Sequence, residues 1–225
     1  VTAALKGHEV VEFGGIEPNP RYETLMKAVE IVRSQNINFL LAVGGGSVLD
    51  GTKFIAAAAN YQGEFAWDIA AKQIQVKEAL PLGAVLTLAA TGSEMNSGGV
   101  VTREATQEKF AFGSPVLFPK FSILDPSITF SLPQRQVANG IVDAYVHVIE
   151  QYLTYPVNSP VQDRFAEGIL LTLIEEGLKA VNNTEPDYEN RANLMWAATM
   201  ALNGLLSTGV RTDWATHMIG HELTA

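Results

Sequence analysis

Acidic and imidazole side chains recur at helical spacing in two segments of the second half of the chain. Asp143 and His147 lie four residues apart, and so do His217 and His221. Residues at this spacing project from one face of a helix. Both segments are otherwise largely apolar, where an unpartnered charge is costly. One carboxylate with two or three imidazoles is a ligand set that suits Zn²⁺ or Fe²⁺.

Each pair also has a plainer interpretation. Asp143 and His147 could form a hydrogen-bonded pair that is half-buried or at the surface, and His217 could be a core histidine with its own partner. The pattern is not the His-Glu-x-x-His of zinc proteases, because Met218 follows His217. Three of the four histidines of the chain nevertheless fall in these two short segments, which favours a metal site.

A glycine-rich turn stands where a buried strand is expected to pass into a helix. Residues 44–47, Gly-Gly-Gly-Ser, follow the apolar run 39–43 and precede the Ala-rich stretch 48–60. Glycine allows a tight turn and the close approach of a ligand, and a helix N-terminus favours phosphate. The segment is neither the G-x-G-x-x-G fingerprint nor a P-loop. It indicates either a phosphate-binding turn or an ordinary β–α turn.

A second turn has the same position relative to a strand. Residues 87–94, Thr-Leu-Ala-Ala-Thr-Gly-Ser-Glu, continue from the apolar run 85–88. Open α/β sheets bind ligands at the edge formed by the carboxyl ends of their strands. The hydroxyl groups of this turn would lie at that edge, although an ordinary capped turn explains the same residues.

The elements that must position these residues differ between the two halves. Strand signals at 10–13, 39–43, 85–88 and 121–124 alternate with helical signals at 22–34 and 48–60, which is typical of a largely parallel α/β sheet. After Pro133 the chain shows only helical periodicity, at 134–152, 160–178 and 188–207. The sequence therefore predicts an α/β domain at 1–132 and an all-α domain at 133–225.

Composition excludes several classes of protein. The 225 residues carry 15 Lys and Arg against 24 Asp and Glu, a net charge of −9, which argues against a nucleic-acid partner. The absence of Cys excludes disulfides and cysteine ligands. No apolar run is long enough to span a bilayer. We expect a cytoplasmic protein without a membrane partner. The missing initiator Met, and a last segment that stops inside a helical pattern, suggest an internal fragment.

Taken together, the segments resemble the iron-containing (group III) alcohol dehydrogenases. The motifs are Gly-Gly-Gly-Ser-Val-Leu-Asp-Gly-Thr-Lys at 44–53, the turn 87–94, Asp125-Pro126, Asp-Ala-Tyr-Val-His-Val-Ile-Glu-Gln-Tyr at 143–152 and His-Met-Ile-Gly-His at 217–221. Residues 14–20 and 213–217 are similar to those of the bacterial NADPH-dependent butanol dehydrogenases and aldehyde reductases.

The resemblance implies a dinucleotide-binding α/β domain, a helical metal-binding domain and an active site between them. Asp143, His147 and His217 match metal ligands. His221 matches a histidine near the substrate, where it could relay a proton. The positions that match cofactor-binding residues are Gly45, Gly46, Ser47, Asp50, Thr87, Thr91, Asn96 and Lys109.

The implied reaction is reversible hydride transfer from NADPH (or NADH) to small aldehydes or ketones. The resemblance also implies NADP (or NAD) as cofactor, Fe²⁺ or Zn²⁺ as metal, and a homodimer. The family places its fourth metal ligand downstream of Ala225 and its first strand before Val1. We therefore expect the chain as given to bind metal weakly and to be inactive. One alternative is an enzyme of the same fold, like dehydroquinate synthase or glycerol-phosphate dehydrogenase, which would need further basic residues around the metal. The other is a non-catalytic nucleotide-binding or oligomerisation module.

Overall fold

The computed structural model describes residues 1–183 and 185–225. The strands are β1 Leu40–Gly44, β2 Leu82–Leu86, β3 Gly98–Arg103, β4 Glu108–Gly113 and β5 Ser122–Leu124. The α-helices are α1 Tyr22–Ser34, α2 Gly46–Asn60, α3 Asp68–Ala71, α4 Gln134–Tyr152, α5 Pro160–Asn182, α6 Tyr188–Ala201 and α7 Ala215–Leu223. Short 3-10 helices lie at Thr2–Leu5, Ser93–Met95, Pro115–Leu117 and Pro126–Ser131.

The predicted parallel sheet is confirmed, with the strand order β1-β2-β5. β1 pairs with β2 from Leu40 opposite Leu82 to Gly44 opposite Leu86, and β5 pairs along the other side of β2. Every residue of β2 is buried, as expected for the central strand of such a sheet. Because the strands are parallel, the turns that follow β1 and β2 lie side by side at one edge.

An antiparallel hairpin of β3 and β4 was not anticipated from the sequence. Its register runs from Gly98 opposite Gly113 to Arg103 opposite Glu108. The ring of Phe112 on β4 meets Phe54 of α2 edge to face, with centroids 5.4 Å apart. The hairpin thus packs against α2, and its strand β4 carries Lys109.

The first-half core follows from the periodicity of the helices. α1 spans the predicted residues and buries one face, Leu25, Ala28, Val29 and Val32. α2 is buried almost throughout its length because it packs against the sheet, α1 and the hairpin. Small Ala side chains at 56–58 allow these close contacts on several sides.

Two expected elements differ in the structure. Residues 10–13 form no regular strand in the described chain, and Val10 and Val11 are each 42% exposed. A short apolar run needs a partner edge as well as hydrophobicity to become a strand. α6 ends at Ala201 rather than near 207, and Gly204 beyond it has a φ of +92°, a left-handed conformation that ends helices.

The second half packs as helices around its own core. Val137, Ala144 and Val148 of α4 are buried with Leu173 of α5 and Leu194 of α6. Along the described residues, the strands all precede 125 and the long helices α4 to α6 follow 133, which supports the proposed division at 132. Among all the residues that the structure describes, no helix is both long and apolar enough to cross a membrane.

Candidate metal and dinucleotide site

Helices α4 and α7 position the predicted metal ligands. Asp143, His147 and Glu150 share one face of α4, because they are four and three residues apart. Hydrogen bonds join the segment that leads into α7 to Glu150 of α4. The Asp213 N–H donates to the Glu150 carbonyl at 2.8 Å. Glu150 Oε1 also accepts from the N–H of Thr216 at 2.5 Å. An acid at a helix N-terminus stabilises its free N–H groups, so Glu150 fixes the direction in which α7 presents His217.

Asp143, His147 and His217, the predicted metal ligands, lie close together. Each offers a ligand atom, and these atoms all lie within 4.8 Å of one another. Asp143 Oδ2 is 3.8 Å from His147 Nδ1, and Asp143 Oδ1 is 3.7 Å from His217 Nε2. Both distances are too long for direct hydrogen bonds. Among the described residues, the buried His147 Nδ1 has no hydrogen-bond partner. An orphaned nitrogen facing a carboxylate and a second imidazole fits a metal ion between them.

Aromatic contacts hold the two imidazoles in place. The rings of His147 and His217 stack with centroids 4.5 Å apart and an interplanar angle of 21°. Trp214 meets both edge to face, at 6.2 Å from His147 and 5.6 Å from His217. This packing restricts rotation of the two rings, so the orientation of their nitrogens is fixed by the protein itself.

The histidines differ in protonation. Burial lowers the pKa of His147 to about 4, although Asp143 acts in the opposite direction. Burial also lowers the pKa of His221 to about 4, with the positive charge of Lys109 adding to the effect. For His217 burial acts downwards too, but the carboxylates of Asp143 and Glu150 outweigh it and raise the pKa. Near neutral pH His147 and His221 are therefore neutral, the form in which imidazole binds metal or accepts a proton.

A cavity of about 970 Å³ joins this cluster to the predicted cofactor turns. Residues from both halves of the chain line it. They include Gly46, Ser47, Asp50, Thr91, Asn96 and Lys109 on one side and Asp143, His147, His217 and His221 on the other. Gly45 and Thr87 belong to the same turns but lie outside the wall, where Gly45 caps α2 and the Thr87 N–H donates to the Gly44 carbonyl at 3.0 Å.

The two turns touch each other at Gly46. A Cβ at this position would lie 2.4 Å from Cγ2 of Thr91, so the contact requires glycine. Gly46 and Ser47 form the first turn of α2, whose N–H groups lack partners within the helix. A helix N-terminus at the wall of a cavity fits an anionic phosphate group.

The side chains of Asn96 and Asp50 form hydrogen bonds with other residues around the cavity. The Asn96 side chain accepts from Lys53 and from the Gly98 N–H, and donates to the carbonyls of Gly92 and Leu202. Asp50 accepts from Ser93 Oγ at 2.6 Å and from the Val100 N–H at 2.9 Å, and burial raises its pKa. Lys109, which lines the same cavity, donates to Asn19 at 2.8 Å and to Thr224 at 2.9 Å.

Comparison with protein families decides the relationship of the chain. Residues 1–126 match the family described as iron-containing alcohol dehydrogenase. Residues 137–225 match the C-terminal part of the Fe-containing alcohol dehydrogenase family. The chain belongs to the iron-containing alcohol dehydrogenase family. The interval between the two matched segments, 127–136, includes the predicted boundary at 132.

Individual relatives agree with this membership. The chain is 63% identical over 227 residues to the NADPH-dependent aldehyde reductase YqhD of Escherichia coli, covering 100% of the chain and 58% of the relative. It is 44% identical over 226 residues to NADH-dependent butanol dehydrogenase A of Clostridium acetobutylicum, again covering 100% and 58%. The chain thus spans about 58% of the length of these relatives.

Solved structures show the same fold. The crystal structure of E. coli YqhD has a TM-score of 0.96 at 62% identity, covering 99% of this chain and 57% of that one. NADH-dependent butanol dehydrogenase A of Thermotoga maritima has a TM-score of 0.92 at 41% identity, covering 99% and 55%. The α/β half followed by a helical half is therefore the family fold.

Sequence reasoning assigned no role to two residues that organise the site. Glu150 stood inside the 143–152 motif, and its spacing of seven from Asp143 placed it on the ligand face. Lys53 ended the 44–53 motif, where its position on a nearly fully buried helix was not foreseen. An acidic residue on the apolar side of a helix was an available signal for Glu150. The partners of Lys53 lie at least 40 residues away, so local spacing could not find them.

Proposed function

We propose that this chain carries the cofactor and metal site of an NAD(P)H-dependent alcohol dehydrogenase that reduces small aldehydes and ketones reversibly. The observation that carries the proposal is a single cavity with a glycine-rich helix N-terminus on one wall and the Asp143, His147 and His217 cluster on the other. The similar proteins named aldehyde reductase and butanol dehydrogenase support the same substrate class.

The cofactor-binding part of the proposal concerns the α/β half. A bound nicotinamide dinucleotide supplies the hydride. Gly46 and Ser47 would receive its pyrophosphate at the start of α2, because their free N–H groups and the helix dipole favour an anion. Gly45 and Thr87 would support the two turns without lining the cavity. The cavity is lined by Thr91, Asp50, Asn96 and Lys109. Either NADP or NAD is proposed, since the relatives are named for NADPH and for NADH.

The metal-binding part concerns α4 and α7. Asp143, His147 and His217 would hold Fe²⁺ or Zn²⁺, which supplies Lewis acidity to the substrate oxygen when bound. Asp143 contributes the anionic ligand, and burial keeps His147 neutral and ready to bind. Glu150 holds Nδ1 of His217 so that Nε2 faces Asp143. Trp214 restrains both rings.

His221 is proposed as the catalytic proton carrier. It lines the cavity, and its ring centroid is 6.4 Å from that of His217. Its lowered pKa keeps the imidazole neutral at pH 7, so one nitrogen can accept a proton while the other releases one. In the reductive direction this residue would deliver the proton that the product alcohol needs.

The cavity charge favours a neutral substrate over a phosphorylated one. Among the lining residues that the structure describes, Lys109 is the sole Lys or Arg. Sites for phosphorylated substrates pair the phosphate with several cations or bidentate arginines. The chemistry of this wall therefore supports a small aldehyde better than the dehydroquinate-synthase-like or glycerol-phosphate-like alternative. We further propose a homodimer located in the cytoplasm.

A spectrophotometric assay tests the proposal. The full-length protein is stripped of metal and supplied with butanal and NADPH or NADH, with and without Fe²⁺ or Zn²⁺. Oxidation of the reduced cofactor that depends on both aldehyde and metal is expected. Metal-independent oxidation would reject the metal role. Cofactor binding without any turnover would favour the non-catalytic nucleotide-binding module.

A further inference from the structure

Lys53 is among the largest fully buried side chains of the described residues. It lies on α2, three residues after Asp50, with 0% of its surface exposed. Its Nζ donates to Ser93 Oγ at 2.9 Å, to Asn96 Oδ1 at 2.9 Å and to the Gly98 carbonyl at 2.7 Å. An ammonium group has three protons to donate, so every one of them has an acceptor.

The three acceptors of Lys53 line the cavity, whereas Lys53 itself does not. Ser93, Asn96 and Gly98 form part of the cavity wall, and Lys53 lies behind it. They also belong to different elements: Ser93 lies in the 87–94 turn and begins a 3-10 helix, and Gly98 begins β3. One buried cation therefore joins these two pieces of the wall to α2.

The network extends from these acceptors in two directions. Ser93 Oγ donates onward to Asp50 Oδ1 at 2.6 Å, so the lysine also controls a carboxylate on the cavity wall. Asn96 donates to the carbonyl of Leu202, just beyond α6, at 3.4 Å. Through Asn96 the same group links the α/β half to the helical half. A shift of Lys53 would move residues on both sides of the cavity.

The cost of burying the Lys53 ammonium shows that filling space in the core does not explain this residue. Burial lowers the pKa of Lys53 to about 8, although the carboxylates of Asp50 and Glu94 act in the opposite direction. Desolvating an ammonium is expensive, and an apolar residue of similar volume fills a core at lower cost. What an apolar side chain cannot supply is three donors that converge on three wall residues.

We propose that Lys53 is a positioning residue for the dinucleotide, acting by fixing Ser93, Asn96 and Gly98 in the geometry that receives it. The inference rests on the proposed function, since it needs a dinucleotide in this cavity. The lysine does not touch the ligand, and it acts only through the wall. Its loss should therefore weaken cofactor binding and leave the Asp143, His147 and His217 cluster intact.

The experiment measures NADPH and NADH affinity by nucleotide fluorescence in the full-length protein. Lys53→Met removes the charge and all donors at similar length, and Lys53→Gln keeps a neutral donor. Leu25→Ala is the matched control, because Leu25 is a fully buried core residue whose truncation destabilises the same half without touching the cavity wall. Metal content and the KM for the dinucleotide are measured in every variant at a temperature below all melting transitions.

We expect Lys53→Met to raise the dinucleotide Kd and KM about tenfold or more, because small misplacements of binding groups are costly. Lys53→Gln should show a smaller increase, with metal content retained in both. Leu25→Ala should keep its Kd within about twofold, as distant sites act independently. An unchanged Kd in either folded Lys53 variant overturns the inference, as does failure of both variants to fold. Lack of dinucleotide binding by the wild-type protein would instead overturn the proposed function on which it rests.

Discussion

The carboxylate of Glu150 contacts Nδ1 of His217 on the side of the ring opposite to Asp143. The same carboxylate accepts from the backbone N–H of His217 at 3.3 Å, so it holds both the ring and the main chain of one residue. A carboxylate on the second nitrogen fixes which ring nitrogen is free to bind metal. Glu150 is only 7% exposed. It lies on α4 and contacts His217 on α7.

Glu150→Gln should weaken metal binding without removing a ligand. The amide replaces a charged acceptor, so the tautomer and direction of His217 are less firmly held. Loss of such a supporting carboxylate lowers metal affinity about 10- to 100-fold. Competition between the protein and a chelator for Fe²⁺ or Zn²⁺ measures this change. Glu167→Gln is the matched control, because Glu167 bonds Arg164 and Tyr152 on the surface of α5. Equal metal affinity in the two variants would contradict the role of Glu150.

His217→Ala should abolish metal retention and activity together. The substitution removes one of three clustered ligand atoms, and the stacking partner of His147 disappears with it. Elemental analysis after dialysis and the aldehyde-reduction assay provide the two readouts. His8→Ala is the control, since His8 is exposed. Stoichiometric metal in His217→Ala would show that the ligand assignment is wrong.

His221→Ala should separate catalysis from metal binding. The imidazole lines the cavity but is absent from the ligand cluster, so metal content should stay at the wild-type level. The turnover number should fall about 100-fold, the lower range for loss of a general acid or base. Steady-state rates across pH 5 to about 9 measure both the loss and the change in profile. If the rate and its pH profile stay as in the wild type, the proton-carrier role is rejected.

Gly46→Ala should destabilise the protein and impair dinucleotide binding. The new Cβ would lie 2.4 Å from Thr91 Cγ2, so one of the two turns must move. Such overpacking costs about 1–3 kcal/mol, measured as the free energy of unfolding in urea. Adding Thr91→Ala removes the clashing methyl and should restore most of the stability. Gly168→Ala has open space at its Cβ and should be neutral or stabilising. A stable Gly46→Ala with normal binding would contradict the contact argument.

Acid should destabilise the metal-free protein through His147. Its folded pKa is about 4, below the ordinary value of 6.5, so the unfolded chain binds the proton more readily. The stability from neutral His147 is complete above pH 6.5 and is lost as the pH falls towards 4. The slope is at most about 1.4 kcal/mol per pH unit. His217 acts in the opposite direction, because its raised pKa favours the folded state at lower pH.

The measurement compares urea unfolding of the wild type and His147→Gln over this pH range. The wild type should lose stability more steeply than the variant as the pH falls. His8→Gln, at the exposed histidine, should follow the wild type. Parallel curves for the wild type and His147→Gln would show that His147 is not held neutral by burial.

Local patterns in the sequence were sufficient for much of the fold. The 3.6-residue period of Leu25, Val29 and Val32 placed α1, and the spacing of Asp143 and His147 placed them on one face of α4. The glycine-rich turn 44–47 marked the end of β1, and the turn 87–94, with its hydroxyl groups and one glycine, marked the end of β2. The hairpin of β3 and β4 was missed, although Phe110 and Phe112 alternate with smaller residues there. The apolar run at 10–13 was wrongly expected to be a strand, because hydrophobicity alone does not supply a partner edge.

The sequence by itself determined the residue types, the helices and turns that carry most of them, and the family motifs, because these depend on neighbours within a few positions. Only the tertiary structure decided which distant groups meet. Glu150 reaches His217 across 67 residues, and Lys53 reaches Ser93 across 40. These contacts depend on how α7 packs against α4 and how the turn that follows β2 packs against α2. The physical reason is that packing and buried hydrogen bonds, rather than local periodicity, select the partners of a buried charge.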